Sequence, residues 1–336
     1  MRGKEKNQIY IIAEMACSHE GDPDLAKKII DGAADAGADA IQLQIWALED
    51  MMAPSHPNYE VCQKIEMTHD QWKDIVAYSR KRYPKLDIYS FVYEHKSIDF
   101  TESLGLDGYK LSSSDLSNPC VLDCVAETGK KINLSIGAST VDEIQKAVDR
   151  IRNKGNEQIT LMYGYQNFPT KIEDVHLNYM KKIMELFDLP VGYQDHCDAD
   201  TKAAFWLPAM SVGMDIQVME KHITHDRSFK GVDYESALNP DEFKLFVKMI
   251  RNLELAGGET VRETFTESEI KYRTFQKKSI VAAKDIKAND VLQVEDMNFL
   301  RTDELGLPPD QFEKIVGKVL KKDIPKFQLI REDDLT

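Results

Sequence analysis

The chain has 336 residues, 43 of them Lys or Arg and 57 Asp or Glu, for a formal charge of −14. A hydrophobic fraction of 42% with 30% charged residues describes a globular chain and excludes a disordered one, and the length suits two domains or one large barrel with an appended module. The acidic balance argues against generic nucleic-acid binding and against attachment to anionic membranes. No apolar run approaches the roughly 18 residues of a membrane helix. The charged start, residues 1–6, and the short apolar run 9–13 read as a lead-in to a first strand, not as a secretion signal. The five cysteines (Cys17, Cys62, Cys120, Cys124 and Cys197) are scattered and form no C-x-x-C pair, as expected for reduced thiols in a cytoplasmic protein.

In chain order, short apolar runs alternate with segments of helical period. Strands are expected at 9–15, 40–45, 87–91, 108–111, 131–135, 158–163, 190–193 and 215–219. Helices are expected at 24–36, where Asp22-Pro23 opens and Gly37 closes the segment, at 140–153 with Thr140 and Glu143 as a capping box, at 201–212 and at 240–254. Eight strand–helix units are what a (β/α)8 TIM barrel requires, with a doubly wound sheet as the alternative. Residues 47–69 break the alternation and read as an extended loop at the end of strand two. The barrel is assigned to 1–258, a polar linker to 259–274, and a small, mostly β module to 275–336, with one short helix from Pro309 to about Val319.

In a barrel the chemistry sits at the C-terminal ends of the strands. Glu14 closes strand one inside an apolar run, either as a salt-bridged core acid or as a general acid/base. Lys110, followed by Ser112, Ser113, Ser114 and Asp115, suits an anion such as phosphate or carboxylate, or else is a lysine whose stem is buried and whose head reaches water. Strands seven and eight end in Gln194-Asp195-His196 and Glu220-Lys221-His222. Neighbouring strands lie about 5 Å apart, so His196 and His222 at one height can share a divalent ion and leave positions open for water and substrate. Asp195 and Glu220 are then candidates to fix the imidazole tautomers. Asp233 follows in Gly231-Val232-Asp233, near the same rim, as a catalytic or a solvated acid. His225, His56, His69, His95 and His176 read as surface or loop residues.

Several of these motifs, with Ser18-His19-Glu20-Gly21 and Phe168-Pro169-Thr170 between them, occur in an order and spacing that resembles the sialic acid (nonulosonate) synthase family. The tail from Phe275 resembles that family's C-terminal antifreeze-like, or SAF, domain. The resemblance implies a (β/α)8 barrel, a domain-swapped homodimer, and a metal-dependent condensation of phosphoenolpyruvate with an N-acyl amino sugar. The product would be a nine-carbon 3-deoxy keto acid plus phosphate. It further implies that His196 and His222 hold the ion, with manganese first and magnesium or cobalt as alternatives. Glu14 and Asp233 would then act in proton transfer, Lys110 and Ser113 would grip the donor, and Arg301 would reach the sugar from the partner's tail.

This chain departs from the family pattern chiefly on the donor side. A lysine usual at the end of strand two is replaced in Gln42-Leu43-Gln44, and the serine before Asp-His is replaced by Gln194. Tyr163-Gly164-Tyr165-Gln166 stands where a His-Cys-Thr-like run is usual, and Ser18 replaces an asparagine. Lys110 and Lys221 are the cations left for a donor that carries roughly −3 charge at neutral pH, with Gln42, Gln166 and Gln194 as altered readers. A metal-dependent aldolase or lyase acting on a 3-deoxy keto sugar acid is the second expectation, and a non-catalytic sugar-binding relative the third.

Overall fold

The structure is a computed structural model that describes residues 8–258 and 264–336; the charged start 1–6 and residues 259–263 of the expected linker lie outside it. The chain divides into two compact units between Gly258 and Glu259.

In the first unit, eight parallel strands close into a barrel in sequence order. They are β1 (Tyr10–Glu14), β2 (Ala40–Gln44), β3 (Asp87–Val92), β4 (Gly108–Leu111), β5 (Lys131–Ser135), β6 (Ile159–Tyr163), β7 (Val191–Asp195) and β8 (Val218–His222). The expected strand eight lay three residues too early, because Asp215 takes a left-handed φ of 68° that a strand cannot continue through. Period-two alternation sorts the side chains. Ile11, Ala13, Ile41, Leu43, Leu134 and Met219 pack outward on the helices, while Ile12, Ala40, Tyr89, Met162 and Val218 fill the interior as an apolar plug. Two residues further along β1, β2 and β8 come Glu14, Gln42 and Glu220, joined by Lys110 of β4 and Gln194 of β7, all buried. Polar residues above an apolar plug define the mouth of the barrel.

The helices begin where cap chemistry predicts. Asp22 accepts from the Asp24 amide at the start of Pro23–Ala36, and Gly37 closes that helix at φ 87°. Thr140 and Glu143 form a reciprocal capping box on Val141–Asn153. Residues 47–69 are not an extended loop. They contain helices Leu48–Met51 and Tyr59–Ile65, because Trp46, Leu48 and Ile65 bury their side chains around Cys17 in a small cluster of their own. No helix of the described residues is long and apolar enough to cross a membrane, and all five cysteines are free.

In the second unit the segment read as linker holds a helix, Glu267–Gln276, started by a Thr266–Glu269 capping box and with no buried residue. Its polarity concealed it: a solvated helix has no apolar stripe to read. β9 (Lys278–Ala282) pairs antiparallel with β10 (Met297–Arg301) over a core of Ile280, Ile286, Leu292, Leu320, Ile324 and Ile330. The expected single helix is a 3-10 turn, Pro309–Gln311, followed by Phe312–Ile315, and it stops short of Gly317 at φ 85°.

Candidate active site

The mouth is built around one hydrogen-bonded network. Glu14 stands at the end of β1, in register with Gln42 on one side and His222 on the other. One of its oxygens accepts from the Ala16 amide at 2.6 Å and from Gln44 Nε2 at 3.1 Å. The other accepts from Gln42 Nε2, which also lies 3.5 Å from Glu220 Oε2. Gln42 thus sits between two buried carboxylates. Burial, and then the neighbouring Glu220, push the Glu14 carboxyl up to about 8.

Lys110 is the counter-charge, and it is engaged. Its Nζ donates to Glu220 Oε2 at 2.5 Å and to Gln194 Oε1 at 2.8 Å, and lies 5.7 Å from the centre of the Phe91 ring. Gln194 Oε1 also accepts from Ser135 Oγ at 2.9 Å. Gly164 permits this packing: a Cβ there would lie 2.3 Å from Gln194 Cγ. Gln166, half-buried, lies against Gly137 in the same group of loops.

His196 and His222 meet at the rim with ring centres 5.4 Å apart and planes at 78°. Phe168 covers both, at 4.3 and 6.0 Å. His196 Nδ1 donates to the Tyr165 carbonyl at 2.8 Å, which leaves Nε2 with its lone pair. His222 Nδ1 is buried with no partner among the described residues. Burial lowers both imidazoles below their ordinary value, and for His222 the neighbouring His196, Lys221 and Lys110 lower it further. Both rings are therefore neutral at pH 7, the form that binds a metal. No set of three or more His, Cys, Asp or Glu among the described residues is arranged for a metal. Two neutral imidazoles, one oriented and one unpartnered, fit a divalent ion whose remaining ligands come from substrate and water.

Four expectations change. Lys221 does not face the mouth: on the outer side of β8 it donates to Asp195 Oδ2 at 2.6 Å, both groups fully buried. Asp195 also accepts from Tyr193 O–H at 2.9 Å, so it orients no imidazole. Glu220 is held by Lys110, and the Tyr165 carbonyl takes the tautomer-fixing role instead. Asp115 is turned into its own loop, accepting from Asn118 Nδ2 at 2.9 Å. A period-two strand hides this: adjacent residues in one motif point to opposite faces. Replacing Lys221 by Met strands the Asp195 charge, with an expected loss of about 3–5 kcal/mol of stability. Urea denaturation reads that loss, and substrate KM values should stay within about twofold.

Ser113 opens the 3-10 turn Ser113–Asp115 directly after β4. Asp233, half-buried, has a left-handed φ of 62° in the loop after β8, and burial, then Glu235 and Glu20, push its carboxyl up to about 6. Arg301 is exposed at the end of β10 in the second unit. Gln44 and Ser135 join the network without being among the candidates the sequence offers; Gln44 donates to Glu14 and accepts from Tyr93 O–H at 3.0 Å. The period-two pattern that puts Gln42 inside was the signal for both.

A closed parallel barrel with two acids, a lysine and two neutral imidazoles gathered at the C-terminal ends of its strands defines an enzyme-type (β/α)8 mouth. The NeuB family model matches residues 29–262 and the SAF domain model residues 277–336. The chain belongs to the NeuB family. It is 32% identical to an uncharacterized protein of Methanocaldococcus jannaschii over 97% of this chain and 94% of that one. It is 29% identical to the N,N'-diacetyllegionaminic acid synthase of Campylobacter jejuni over 96% and 98%. Among solved structures, the N-acetylneuraminic acid synthetase of Leptospira borgpetersenii, in complex with citrate, is 26% identical with a TM-score of 0.72, covering 80% of this chain and 92% of that one.

Proposed function

We infer that this protein is a nonulosonate-type synthase that joins phosphoenolpyruvate to the open-chain aldehyde of an N-acyl amino sugar. The observation that carries this reading is the convergence of Glu14, Lys110, His196 and His222 on one mouth in a chain whose relatives bear synthase names. In the reaction a carbon–carbon bond forms between the donor methylene and the aldehyde carbon. Water adds at the donor's central carbon, and phosphate leaves.

His196 and His222 would hold a divalent ion, which when bound would supply Lewis-acid polarisation of the aldehyde and a more acidic water. Manganese is the first candidate, with magnesium or cobalt next. Glu14, neutral in the resting site, exchanges a proton with a sugar hydroxyl or the aldehyde oxygen, and Asp233 serves the same purpose from the β8 loop. Lys110 and Ser113 meet the donor anion, and Gln42, Gln166 and Gln194 read it. The homodimer is part of this reading. Phe299 and Arg301 stand exposed on one face of β10, with Leu300 exposed on the other, an apolar and cationic pair available to a partner's barrel mouth.

The pairing of Lys110 with Glu220 favours one second reading, an aldolase that uses a keto acid with a single carboxylate. Gln42→Lys tests the two. A lysine between Glu14 and Glu220 satisfies both acids and releases Lys110 toward the donor. One additional charged hydrogen bond contributes about 1.5–3 kcal/mol, so phosphoenolpyruvate should bind roughly tenfold to a hundredfold more tightly by titration calorimetry with excess manganese. Unchanged affinity, with product formed from pyruvate and not from phosphoenolpyruvate, would establish the aldolase instead.

A further inference from the structure

Beside the mouth lies a second cavity that none of these roles uses. It has a volume of about 320 Å³ and is lined by the β1 loop, through Ser18 and Glu20, and by the β8 loop, through Thr224, His225, Asp226 and Tyr234. Its polar groups are unusually idle. Ser18 is 3% exposed, and its Oγ has no partner among the described residues. Both ring nitrogens of His225 are likewise buried and unpartnered there. Glu20, by contrast, is occupied: its Oε1 accepts the Val232 amide at 2.6 Å. Asp226 accepts the Ser228 amide at 2.9 Å.

Buried polar atoms without partners are costly unless something meets them. A hydroxyl and an imidazole each present a donor and an acceptor, the same pair that an alcohol group presents in return. An anion would face Glu20 and Asp226 against one cation of the lining, the exposed Lys230, and no set of three metal-ligating groups is present among the described residues. The complement is a neutral, hydroxylated fragment. The volume sits at the lower end of ligand pockets and suits part of a sugar. The chain also limits how far the cavity stands from the mouth. Glu14 and His222 are register partners. Ser18 follows Glu14 by four residues and His225 follows His222 by three, no more than about 14 Å and 11 Å of extended chain.

The geometry points to this cavity as the subsite for the hydroxylated tail of the sugar acceptor, with Ser18 and His225 as its specificity-determining contacts. The assignment rests on the synthase reading for the identity of the sugar. It is tested with His225→Leu and Ser18→Ala, assayed for binding of a panel of N-acyl hexosamines that includes N-acetylmannosamine, and for steady-state condensation. The acceptor's KM and Kd should rise tenfold or more in each variant, with donor KM unchanged and kcat within about twofold. His225→Gln should recover part of the loss, since it restores a donor and an acceptor. Variants that keep the wild-type acceptor KM and Kd would overturn the subsite and leave a water-filled pocket. So would a wild-type protein that binds none of the panel. If the wild type binds a sugar, the variants lose it, and no product forms from phosphoenolpyruvate, the subsite stands and the synthase reading falls.

Discussion

Replacing either His196 or His222 by alanine is expected to abolish condensation, with kcat/KM reduced at least a thousandfold while the barrel stays folded. The size follows from the donor set. Among the described residues no third His, Cys, Asp or Glu joins the pair. Removing one imidazole leaves a single protein ligand for a divalent ion, and removing Lewis-acid stabilisation of a developing alkoxide costs several kcal/mol. At 1.36 kcal/mol per tenfold in rate, that is several orders of magnitude. Metal titration should show the same loss in isolation: affinity for manganese should fall in both variants before any substrate is added. The orienting partner predicts a difference between them. His196 is tied to the Tyr165 carbonyl, and His222 Nδ1 is not tied. Imidazole added to the medium should therefore rescue His222→Ala better than His196→Ala, where the loop carbonyl also loses its donor. Full activity in either alanine variant would reject the metal assignment.

Glu14→Gln carries the second large effect, and it has two readouts. A positioned acid or base contributes about a hundredfold to ten-thousandfold, so kcat should fall by that order. The second readout needs no substrate. The Glu14 carboxyl is raised to about 8 from 4.5 by burial and by Glu220. The folded protein therefore holds a proton that the unfolded chain has already released. The resulting stability is fully present below pH 4.5 and is lost as pH rises toward 8. Glutamine at this position does not titrate. Thermal unfolding of the metal-free protein should accordingly show the wild type losing Tm relative to Glu14→Gln between pH 5 and pH 8.5. A constant difference across that range would mean that Glu14 is ionised throughout. Glu14→Asp separates the roles: it keeps the titration but draws the carboxyl back from Gln42 and Gln44, so activity should fall while the pH slope of stability remains.

The eight strand–helix units were legible because strands and helices write their periods locally. Ile11, Ile12, Ala13 and Glu14 already carry an outer face, an inner face and a polar tip, and Asp22, Thr140 and Gly37 mark helix ends through backbone hydrogen bonds that involve only near neighbours. The residue types at the strand ends, Gln42 among them, were legible for the same reason. Elements without an apolar stripe were not legible. The exposed helix Glu267–Gln276 and the packed turns around Tyr59–Ile65 depend on solvation and on the distant side chain of Cys17.

By itself the sequence determined the eight strand–helix units, the change of texture before the tail and the residue types present at each strand end, since these follow from periodicity and cap chemistry within a few residues, while closure into a barrel and not a doubly wound sheet came with the tertiary structure. Only the tertiary structure decided which of those side chains share a face and which partner takes each charge. Lys221 and Lys110 look equivalent as letters, yet closure of the barrel turns Lys221 outward onto Asp195 and Lys110 inward onto Glu220 and Gln194. Alternation along a strand is local, but the partner of a buried charge lies 26 or 110 positions away in the chain. That distance is crossed only when the sheet closes.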